Sequence, residues 1–401
     1  MKASKLASVM AALLLGGAAS AVAKDGGPVK LGVLTDMTSV FSAAGGQGSV
    51  EAVKIAIDEV GGKVLGKPIE LVSADFQLKI DLALSITREW LDRSGVDAIF
   101  DVSNSGPARA VNEVVGERKR LAFISNAAIG GGEDCNGYGL GWLYNPASIY
   151  RSAVSAQLSQ GKNRWFLFIP DTPWGSGMEA GIRKELAKGG GAIVGAIKYS
   201  QGTKDFSSFL LQAQASNANF VVSLNAGPDF INIMKQAQEF GLESTGKTIG
   251  GMSEILTDVK STGLDIFKGK DMITAWYWDM DDKSREFADR FFKRTGKRPT
   301  NMQAAGYSAA LQYLHAVEKL GTTNAEKVFE YLKSIKIEDA YSRNGVLRDD
   351  GRLIHDMYLV RAKQPAQSKN DWDLYEMVKT IPAEDAYGPL NESGCKAIKS
   401  N

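Results

Sequence analysis

The sequence VKLGVL at residues 29–34 begins a rhythm of short apolar runs and longer amphipathic stretches. The amphipathic stretch at residues 50–60 predicts a helix that ends at Gly61 and Gly62. Further strand-like runs follow at residues 68–74, 96–102 and 121–125, and helical stretches lie between them at 81–92 and 108–117. This alternation of strand and helix predicts a parallel sheet that is covered by helices on both faces.

The same rhythm restarts in the second half of the chain. Strands are predicted at residues 164–169, 192–197, 220–224, 247–251 and 272–278. Helices are predicted at residues 148–158, after Trp174, and at 206–215, 230–240, 285–294 and 304–319. The sequence therefore predicts the α/β class, with two domains of similar design. In such sheets ligands bind at the carboxyl ends of the strands, which here are the loops after Leu34, Val102, Ser125, Ile169, Leu224 and Gly251.

The composition excludes several functions. The chain has 401 residues, 47 basic and 46 acidic side chains, and a net charge of +1, so it lacks the basic excess of a nucleic-acid-binding protein. Two His and two Cys are too few for a zinc-ribbon framework or an iron–sulfur site. We therefore expect no nucleic-acid partner, no metal and no cofactor.

The N-terminus has the features of a signal peptide. Lys2 and Lys5 precede an apolar stretch at residues 6–19, and Ala21-Val22-Ala23 forms an A-x-A cleavage pattern. We expect cleavage after Ala23 and export of a protein that is not embedded in the membrane, because the apolar stretch is short for a membrane span. The alternative is an uncleaved anchor. No Cys follows the apolar stretch, so we do not expect a lipid anchor. Export without a lipid anchor is typical of a bacterial periplasmic protein.

Neither the glycines nor the histidines form an enzyme motif. Gly45-Gly46-Gln47-Gly48 lies between a strand and a helix, but Glu51 occupies the position where a dinucleotide-binding loop needs a small residue. His315 and His355 stand in a helical pattern and a strand-like pattern, which favours structural or surface roles over catalysis. We find no nucleophile with a base and an oxyanion group, so an enzyme is not expected.

Cys135 and Cys395 are the only cysteines. In an oxidising periplasm a single pair is expected to form a disulfide, here between the C-terminal tail and a long loop of the first domain. Two free thiols remain the alternative.

Several segments carry a family resemblance that covers the whole mature chain. They are residues 30–34 (KLGVL), 65–70 (LGKPIE), 171–175 (DTPWG), 204–207 (KDFS) and 236–242 (QAQEFGL). In their order and spacing the chain resembles the type I periplasmic solute-binding proteins of ABC transporters, in the Leu/Ile/Val-binding branch. The resemblance implies two Rossmann-like lobes that close on a solute, joined by three crossings near residues 143–145, 274–276 and 348–353.

The resemblance also implies domain boundaries. After the signal peptide at residues 1–23, lobe 1 would comprise residues 24–144 and 276–348, and lobe 2 residues 145–275 and 353–380. Residues 381–401 would form a C-terminal tail packed on lobe 1.

In this family lobe 1 holds the carboxylate of the ligand with hydroxyls and backbone N–H groups. The matching positions are Asn104, Ser105, Ala127 and Ala128. Such donors suit a carboxylate without a buried Arg. Ile129 departs from the pattern, because a hydroxyl residue is common at that position.

Lobe 2 of amino-acid binders in this family holds the ligand ammonium with a Tyr and a Glu. Ala226 and Met252 stand at those positions, while Asn225 remains polar. A buried ammonium needs an acceptor, so these changes argue against a standard α-amino acid. Phe41 and Trp174, which follow strands at the predicted cleft, would form an apolar wall with Met252. This pattern favours an aromatic acid over an amino-acid-like solute.

The resemblance implies a monomeric binding protein that delivers a small solute to an ABC transporter permease. The alternatives are a periplasmic sensor subunit, a binder of an uncharged amide-type solute and, least favoured, an exported enzyme.

Overall fold

The computed structural model describes residues 27–129, 134–253 and 255–395. The predicted signal peptide lies outside these residues. The described strands are β1 (Val29–Thr35), β2 (Lys63–Val64), β3 (Lys67–Asp75), β4 (Ala98–Asp101), β5 (Leu121–Ile124), β6 (Gly139–Gly141), β7 (Arg164–Pro170), β8 (Ala192–Tyr199), β9 (Phe220–Ser223), β10 (Thr248–Gly251), β11 (Asp271–Thr274), β12 (Val346–Leu347), β13 (Leu353–Ile354), β14 (Met357–Ala362) and β15 (Tyr375–Ile381).

The described α-helices are α1 (Gly46–Glu59), α2 (Ile80–Glu89), α3 (Ser105–Glu117), α4 (Pro146–Ser159), α5 (Pro173–Lys188), α6 (Ser207–Ala215), α7 (Gly227–Glu239), α8 (Leu256–Thr262), α9 (Leu264–Phe267), α10 (Asp282–Thr295), α11 (Asn301–Leu320), α12 (Ala325–Ser334) and α13 (Ala383–Tyr387). Helix α2 continues into a π-helical turn at Trp90–Ser94. None of the described helices is both long and apolar enough to span a membrane.

Lobe 1 is built on a six-stranded sheet in the order β2-β3-β1-β4-β5-β6, and only the β2–β3 pair is antiparallel. Helices α1, α10 and α11 pack together on one side, and α2 and α3 pack together on the other. Successive residues of β4 face opposite sides of the sheet. Phe100 lies in the hydrophobic core on the side of α1 and α11, and Ile99 lies in the core on the side of α2 and α3. Both faces of the sheet are therefore buried, as a parallel sheet requires.

Aromatic packing holds α11 against this sheet. The rings of Phe100 and Phe123 are stacked with centroids 5.2 Å apart, and Tyr313 of α11 packs edge-on against both. Helix α12 follows α11 and completes lobe 1.

Lobe 2 contains a four-stranded parallel sheet in the order β10-β9-β7-β8, with α4 to α9 around it. A second, antiparallel sheet in the order β11-β14-β15 adjoins it, because a bridge between Ser253 and Ile273 links the two. The two-lobed α/β fold of the sequence prediction is thus confirmed, whereas the antiparallel sheet is an addition to it.

The chain passes between the lobes three times. The first crossing is residues 142–145 between β6 and α4, the second is 275–281 between β11 and α10, and the third is 355–356 between β13 and β14. The third crossing was expected near residues 348–353, but residues 348–352 form the turn of a hairpin, because β12 and β13 pair with each other. The predicted strand at residues 272–278 was wrong in length, because β11 ends at Thr274. After β11, the indole of Trp276 donates to the Ala340 carbonyl at 2.6 Å and to Ser284 Oγ at 3.1 Å. These hydrogen bonds hold the second crossing against lobe 1.

The C-terminal tail contacts both lobes rather than lobe 1 alone. Helix α13 packs against α4 of lobe 2, and Arg151 of α4 forms an ion pair with Glu392. Beyond this anchor, a disulfide joins Cys395 to Cys135 of lobe 1, with a Cα–Cα distance of 5.7 Å. The tail therefore begins on lobe 2 and ends covalently on lobe 1.

Candidate functional site

The carboxyl ends of β4 and β5 bring the four lobe 1 positions of the sequence prediction together. Asn104 begins α3 as its N-cap, and its side-chain Oδ1 accepts a hydrogen bond from Gly106 N at 3.0 Å. The hydroxyl of Ser105 donates to the carbonyl of Ala128 at 3.5 Å. Ala127, beside Ala128, is buried. Two loops from adjacent parallel strands thus form one polar surface.

The backbone before Asn104 adopts an uncommon conformation. The φ angles of Asp101, Val102 and Asn104 are +80°, +56° and +70°, in the region that few non-glycine residues adopt. Such conformations persist only where the surrounding structure imposes them, and they cluster at binding sites. The turn redirects the chain so that α3 begins with its N-terminus at the edge of the sheet.

Buried polar residues below this surface were missed by the sequence prediction. Asn126 Nδ2 donates to Ser103 Oγ at 2.9 Å, and the same hydroxyl oxygen accepts from Asp36 N at 3.4 Å. The carboxylate of Asp36 accepts from Ser39 Oγ at 2.6 Å and from Phe41 N at 2.9 Å. Phe41 is half-buried and is held at this edge by Asp36.

Asp101 is a further buried carboxyl at the end of β4. Burial raises its pKa to about 6, and polar groups of Thr35, Ser49 and Asn126 offset this effect only in part. A Cβ atom at Gly45 would lie 3.0 Å from Asp101 Oδ2 and 2.1 Å from Asn126 Nδ2. The glycine thus leaves room for this polar cluster, and α1 begins directly after it at Gly46.

At the carboxyl edge of the lobe 2 sheet, Trp174 lies in the first turn of α5 and Asn225 lies in the loop after β9. The indole of Trp174 donates from Nε1 to the Leu224 carbonyl at 3.0 Å. Asn225 Nδ2 donates to Asp229 Oδ2 at 3.2 Å, and Asn225 Oδ1 accepts from Ala226 N at 3.0 Å. Trp174, Asn225 and Ala226 are half-buried, so each can contribute surface.

Met252 follows β10 and keeps only 2% of its surface exposed, so it packs below this edge. Asp258 of α8 is an acid that the sequence prediction missed. It accepts from Gly227 N at 2.7 Å, and burial raises its pKa to about 6. Asp36 and Asp101 stand at the ends of apolar strands, which is the one sequence signal that could have found them. Asp258 lies within α8 and carries no such signal. Glu254, an acid two residues past Met252 in the sequence, lies outside the described residues.

A cavity of about 510 Å³ lies where α8 of lobe 2 meets lobe 1. Thr257 of α8 lines it together with Met37, Ser42 and Ala43 from the loop that carries Phe41. Arg294, Lys297 and Arg298 supply three cations to its wall, and Glu51 supplies an anion. The loop of Phe41 therefore faces lobe 2 across an open space. Within the described ranges, no group of three or more His, Cys, Asp or Glu residues could hold a metal ion.

Residues 28–370 match the periplasmic binding protein family, and the chain belongs to this family. The predicted family and type I fold are thus confirmed, as is the expectation of a binding protein rather than an enzyme.

A solved structure is similar to this chain along almost its whole length. It is a branched-chain amino acid ABC transporter periplasmic ligand-binding protein from Burkholderia xenovorans LB400, with 57% identity and a TM-score of 0.89. The match covers 92% of this chain and 99% of that one.

Two more distant proteins are also similar. Leu/Ile/Val-binding protein homolog 6 of Brucella melitensis is 24% identical over 231 residues, 57% of this chain and 58% of that protein. The match thus spans less than two thirds of that relative. An ABC transporter solute-binding protein from R. palustris in complex with 4-hydroxybenzoate is 19% identical, with a TM-score of 0.80 over 91% of this chain and all of that one, and shares the fold alone.

Proposed function

We propose that this protein captures a small carboxylate-bearing solute between its lobes and delivers it to an ABC transporter permease. The observation that carries the proposal is the contact of Ser105 Oγ with the Ala128 carbonyl, which joins two loops at the carboxyl edge of lobe 1. Asn104, Ser105 and the backbone of Ala127 and Ala128 then hold the carboxylate with neutral donors. The similarity to the Burkholderia ABC transporter protein supports the transport role.

The protein acts in this proposal as an exported periplasmic monomer whose signal peptide is removed after Ala23. Trp174, Asn225 and Ala226 of lobe 2 meet the solute when the three crossings bend and the lobes close. The permease responds to the closed form, so solute binding and delivery share one conformational equilibrium. A sensor subunit would use the same closure, and it differs in that its partner is a membrane kinase or chemoreceptor.

Two classes of carboxylate solute have support. Phe41 and Trp174, with Ala226 in place of an ammonium partner, favour an aromatic acid, and Met252 packs behind this surface. The acids of lobe 2 favour an amino acid, because Asp258 and Asp229 place carboxylates next to Ala226 and can compensate for the missing partners. The similarity to the Burkholderia protein, which is described as a branched-chain amino acid ABC transporter ligand-binding protein, also supports an amino acid. An uncharged amide-type solute is the third possibility.

A thermal-shift screen with benzoate, 4-hydroxybenzoate, L-leucine, L-phenylalanine and the uncharged amide benzamide separates these classes. A ligand present at about 100 times its dissociation constant should stabilise the protein by roughly 2.7 kcal/mol. We expect one of the carboxylates to raise the unfolding temperature and benzamide to have no effect. The absence of any shift with carboxylates at millimolar concentration would contradict the proposal.

Titration calorimetry of two variants then locates the site. Ser105→Ala should weaken binding by about tenfold, because it removes a hydroxyl that turns from the Ala128 carbonyl to donate to the charged carboxylate. Ser334→Ala is the matched control, since the exposed Ser334 also donates to a carbonyl, that of Tyr331 at 2.7 Å, but lies on α12. Equal affinities of both variants and the unmodified protein would exclude Ser105 from the site.

A further inference from the structure

Asn126 connects the two loops that form the lobe 1 surface. Its backbone carbonyl accepts a hydrogen bond from Asn104 N at 3.2 Å. Its side chain donates to Ser103 Oγ at 2.9 Å, one residue before Asn104. Asn126 directly precedes Ala127 and is 4% exposed, so it lies below the surface and does not form part of it. One residue thus fixes the relative position of both loops.

Asp101 lies next to Asn126 in this buried layer. It is 1% exposed, and its backbone carbonyl accepts from Ser125 N at 3.1 Å, so it is tied to the same loop. The elements around it are β1 with Thr35 and Asp36, α1 with Ser49, and the loop after β5 with Asn126. Asp36 is the charged group that acts on the Asp101 carboxyl, and its negative charge adds to the effect of burial in raising the pKa of Asp101.

Helix α11 also packs against this layer, through Gln303, whose Nε2 donates to the Gly45 carbonyl at 3.0 Å. Its carboxamide is neutral, so α11 faces the cluster with a neutral group. The charged residue nearest in sequence to Ser49 on α1 is Glu51, which is bound to Lys54 at 2.7 Å and to Arg294 at 3.3 Å.

We propose that Asn126 and Asp101 are positioning residues for the lobe 1 half of the site, and that a negative charge on Asp101 opposes the binding of an anionic solute. The inference rests on the proposed function, because it needs the solute carboxylate to bind at Asn104 and Ser105. Asn126 holds these two residues in register with Ala127 and Ala128. Asp101 supports Asn126 from below, and no cation of the cluster described above balances its charge.

The proposal has a defined pH dependence. Burial places the pKa of Asp101 near 6, so the carboxyl is neutral below this pH and charged above it. A solute carboxylate bound above it raises the pKa further by like-charge repulsion. Binding therefore takes up a proton, and affinity falls as pH rises through 6. A merely structural role of Asp101 would produce no such change in affinity.

A titration of the full-length protein followed by NMR tests the coupling without any ligand. The side-chain carboxyl carbon of Asp101 should titrate with a midpoint near pH 6, and the amide signals of Asn104 and Ala127 should shift with the same midpoint. Asp101→Asn should abolish these amide shifts. Asp356→Asn is the matched control, because burial also raises the pKa of Asp356. Asp356 makes its hydrogen bond elsewhere, accepting from the backbone N–H of Ala383 in the C-terminal tail.

Calorimetry at pH 5.5 and pH 8 with benzoate and L-leucine as probes tests the consequence for binding. The carboxylates of both probes stay ionised over this range. Asp258 also titrates near pH 6, so the measured quantity is the ratio of the affinity of the unmodified protein to that of Asp101→Asn, in which the effect of Asp258 cancels. We expect this ratio to fall about five- to tenfold between pH 5.5 and pH 8. At pH 8, Asp101→Asn should bind more tightly than the unmodified protein.

The outcomes separate this inference from the proposed function. If no carboxylate binds to the unmodified protein, the proposed function is wrong, and with it the inference for binding. If a carboxylate binds but Asp101→Asn has the same pH dependence of affinity as the unmodified protein, or the amide signals of Asn104 and Ala127 do not shift with a midpoint near pH 6, the inference is wrong and the proposed function stands. If Asp101→Asn does not fold, the NMR titration of the unmodified protein still decides the coupling.

Discussion

Arg352, buried in the turn of the β12–β13 hairpin, donates from Nη1 to the backbone carbonyl of Leu143 in the first crossing at 2.9 Å. The hairpin is also joined to the last residue of β6 by a bridge between Gly141 and Arg352. A Cβ atom at Gly141 would lie 2.9 Å from the guanidinium carbon, so the glycine is needed for this close approach. The start of the first crossing is thus fixed to the hairpin that precedes the third crossing.

Arg352→Met should destabilise the protein, because it leaves the Leu143 carbonyl without this donor in a buried environment. We expect the free energy of unfolding to fall by about 2–4 kcal/mol. Urea denaturation measures this change. Arg183→Ala is the control, since Arg183 forms an exposed ion pair with Glu179 one helical turn away, worth about 0.3–0.5 kcal/mol. Similar losses in both variants would show that Arg352 has no special role.

His355 should make the protein sensitive to acid. It lies buried between β13 and β14, and Nε2 is 3.0 Å from the hydroxyl of Tyr341 and 3.1 Å from that of Tyr387. Burial lowers its pKa from 6.5 to about 4, so the unfolded chain binds a proton that the folded protein excludes. The stability contributed by neutral His355 is complete above about pH 6.5 and is lost as the pH falls toward 4.

Urea denaturation of the unmodified protein and of His355→Gln between pH 7.5 and 4.5 isolates this effect. The difference in unfolding free energy between them should change by up to about 1.4 kcal/mol per pH unit below pH 6.5. Other titrating groups cancel in the difference. Parallel pH profiles of the two proteins would contradict the assignment of this sensitivity to His355.

Two glycines within helices should respond to alanine in opposite directions. A Cβ atom at Gly48 of α1 would lie 2.1 Å from Gln303 Nε2, so Gly48→Ala should cost about 1–3 kcal/mol by overpacking. A Cβ atom at Gly177 of α5 would meet nothing within 4 Å, so Gly177→Ala should stabilise by about 0.5–1 kcal/mol. Thermal denaturation that gave both variants the same sign would contradict the packing of α11 on α1.

The disulfide between Cys135 and Cys395 should contribute to stability, because its partners are 260 residues apart in sequence. Chain entropy predicts a loss of about 5 kcal/mol for Cys135→Ser with Cys395→Ser, and measured losses are often smaller. Denaturation of the unmodified protein with and without reductant should show the same difference. The double variant should not respond to reductant.

The alternation of apolar runs and helical stretches was sufficient to predict both parallel sheets, because each strand and its helix are close in sequence. The sheet of β11, β14 and β15 was not predicted, since β11 pairs with β14 across more than 80 residues and no local pattern records this. Helix α1 also begins at Gly46, earlier than the predicted residue 50, because Gly45 and Gly48 fit against Asn126 and Gln303.

The candidate site, like the fold, could be predicted from the sequence only in part. The rule that ligands bind at strand ends placed Asn104, Ser105 and Trp174 at the edges of their sheets, and their role in binding stays a prediction. The buried acids were missed, because a sequence does not show whether a polar residue at a strand end faces solvent or the interior. Asp101 is 1% exposed only because β1, α1 and the loop after β5 cover it.

The disulfide also changes the covalent connectivity of the whole protein. Every residue of lobe 2 lies between Cys135 and Cys395 in the sequence, so lobe 2 belongs to a closed covalent ring. A protease that cuts one loop of this ring releases no fragment, because the two new ends remain connected through the sulfur atoms. Only reduction after the cut would divide the polypeptide in two.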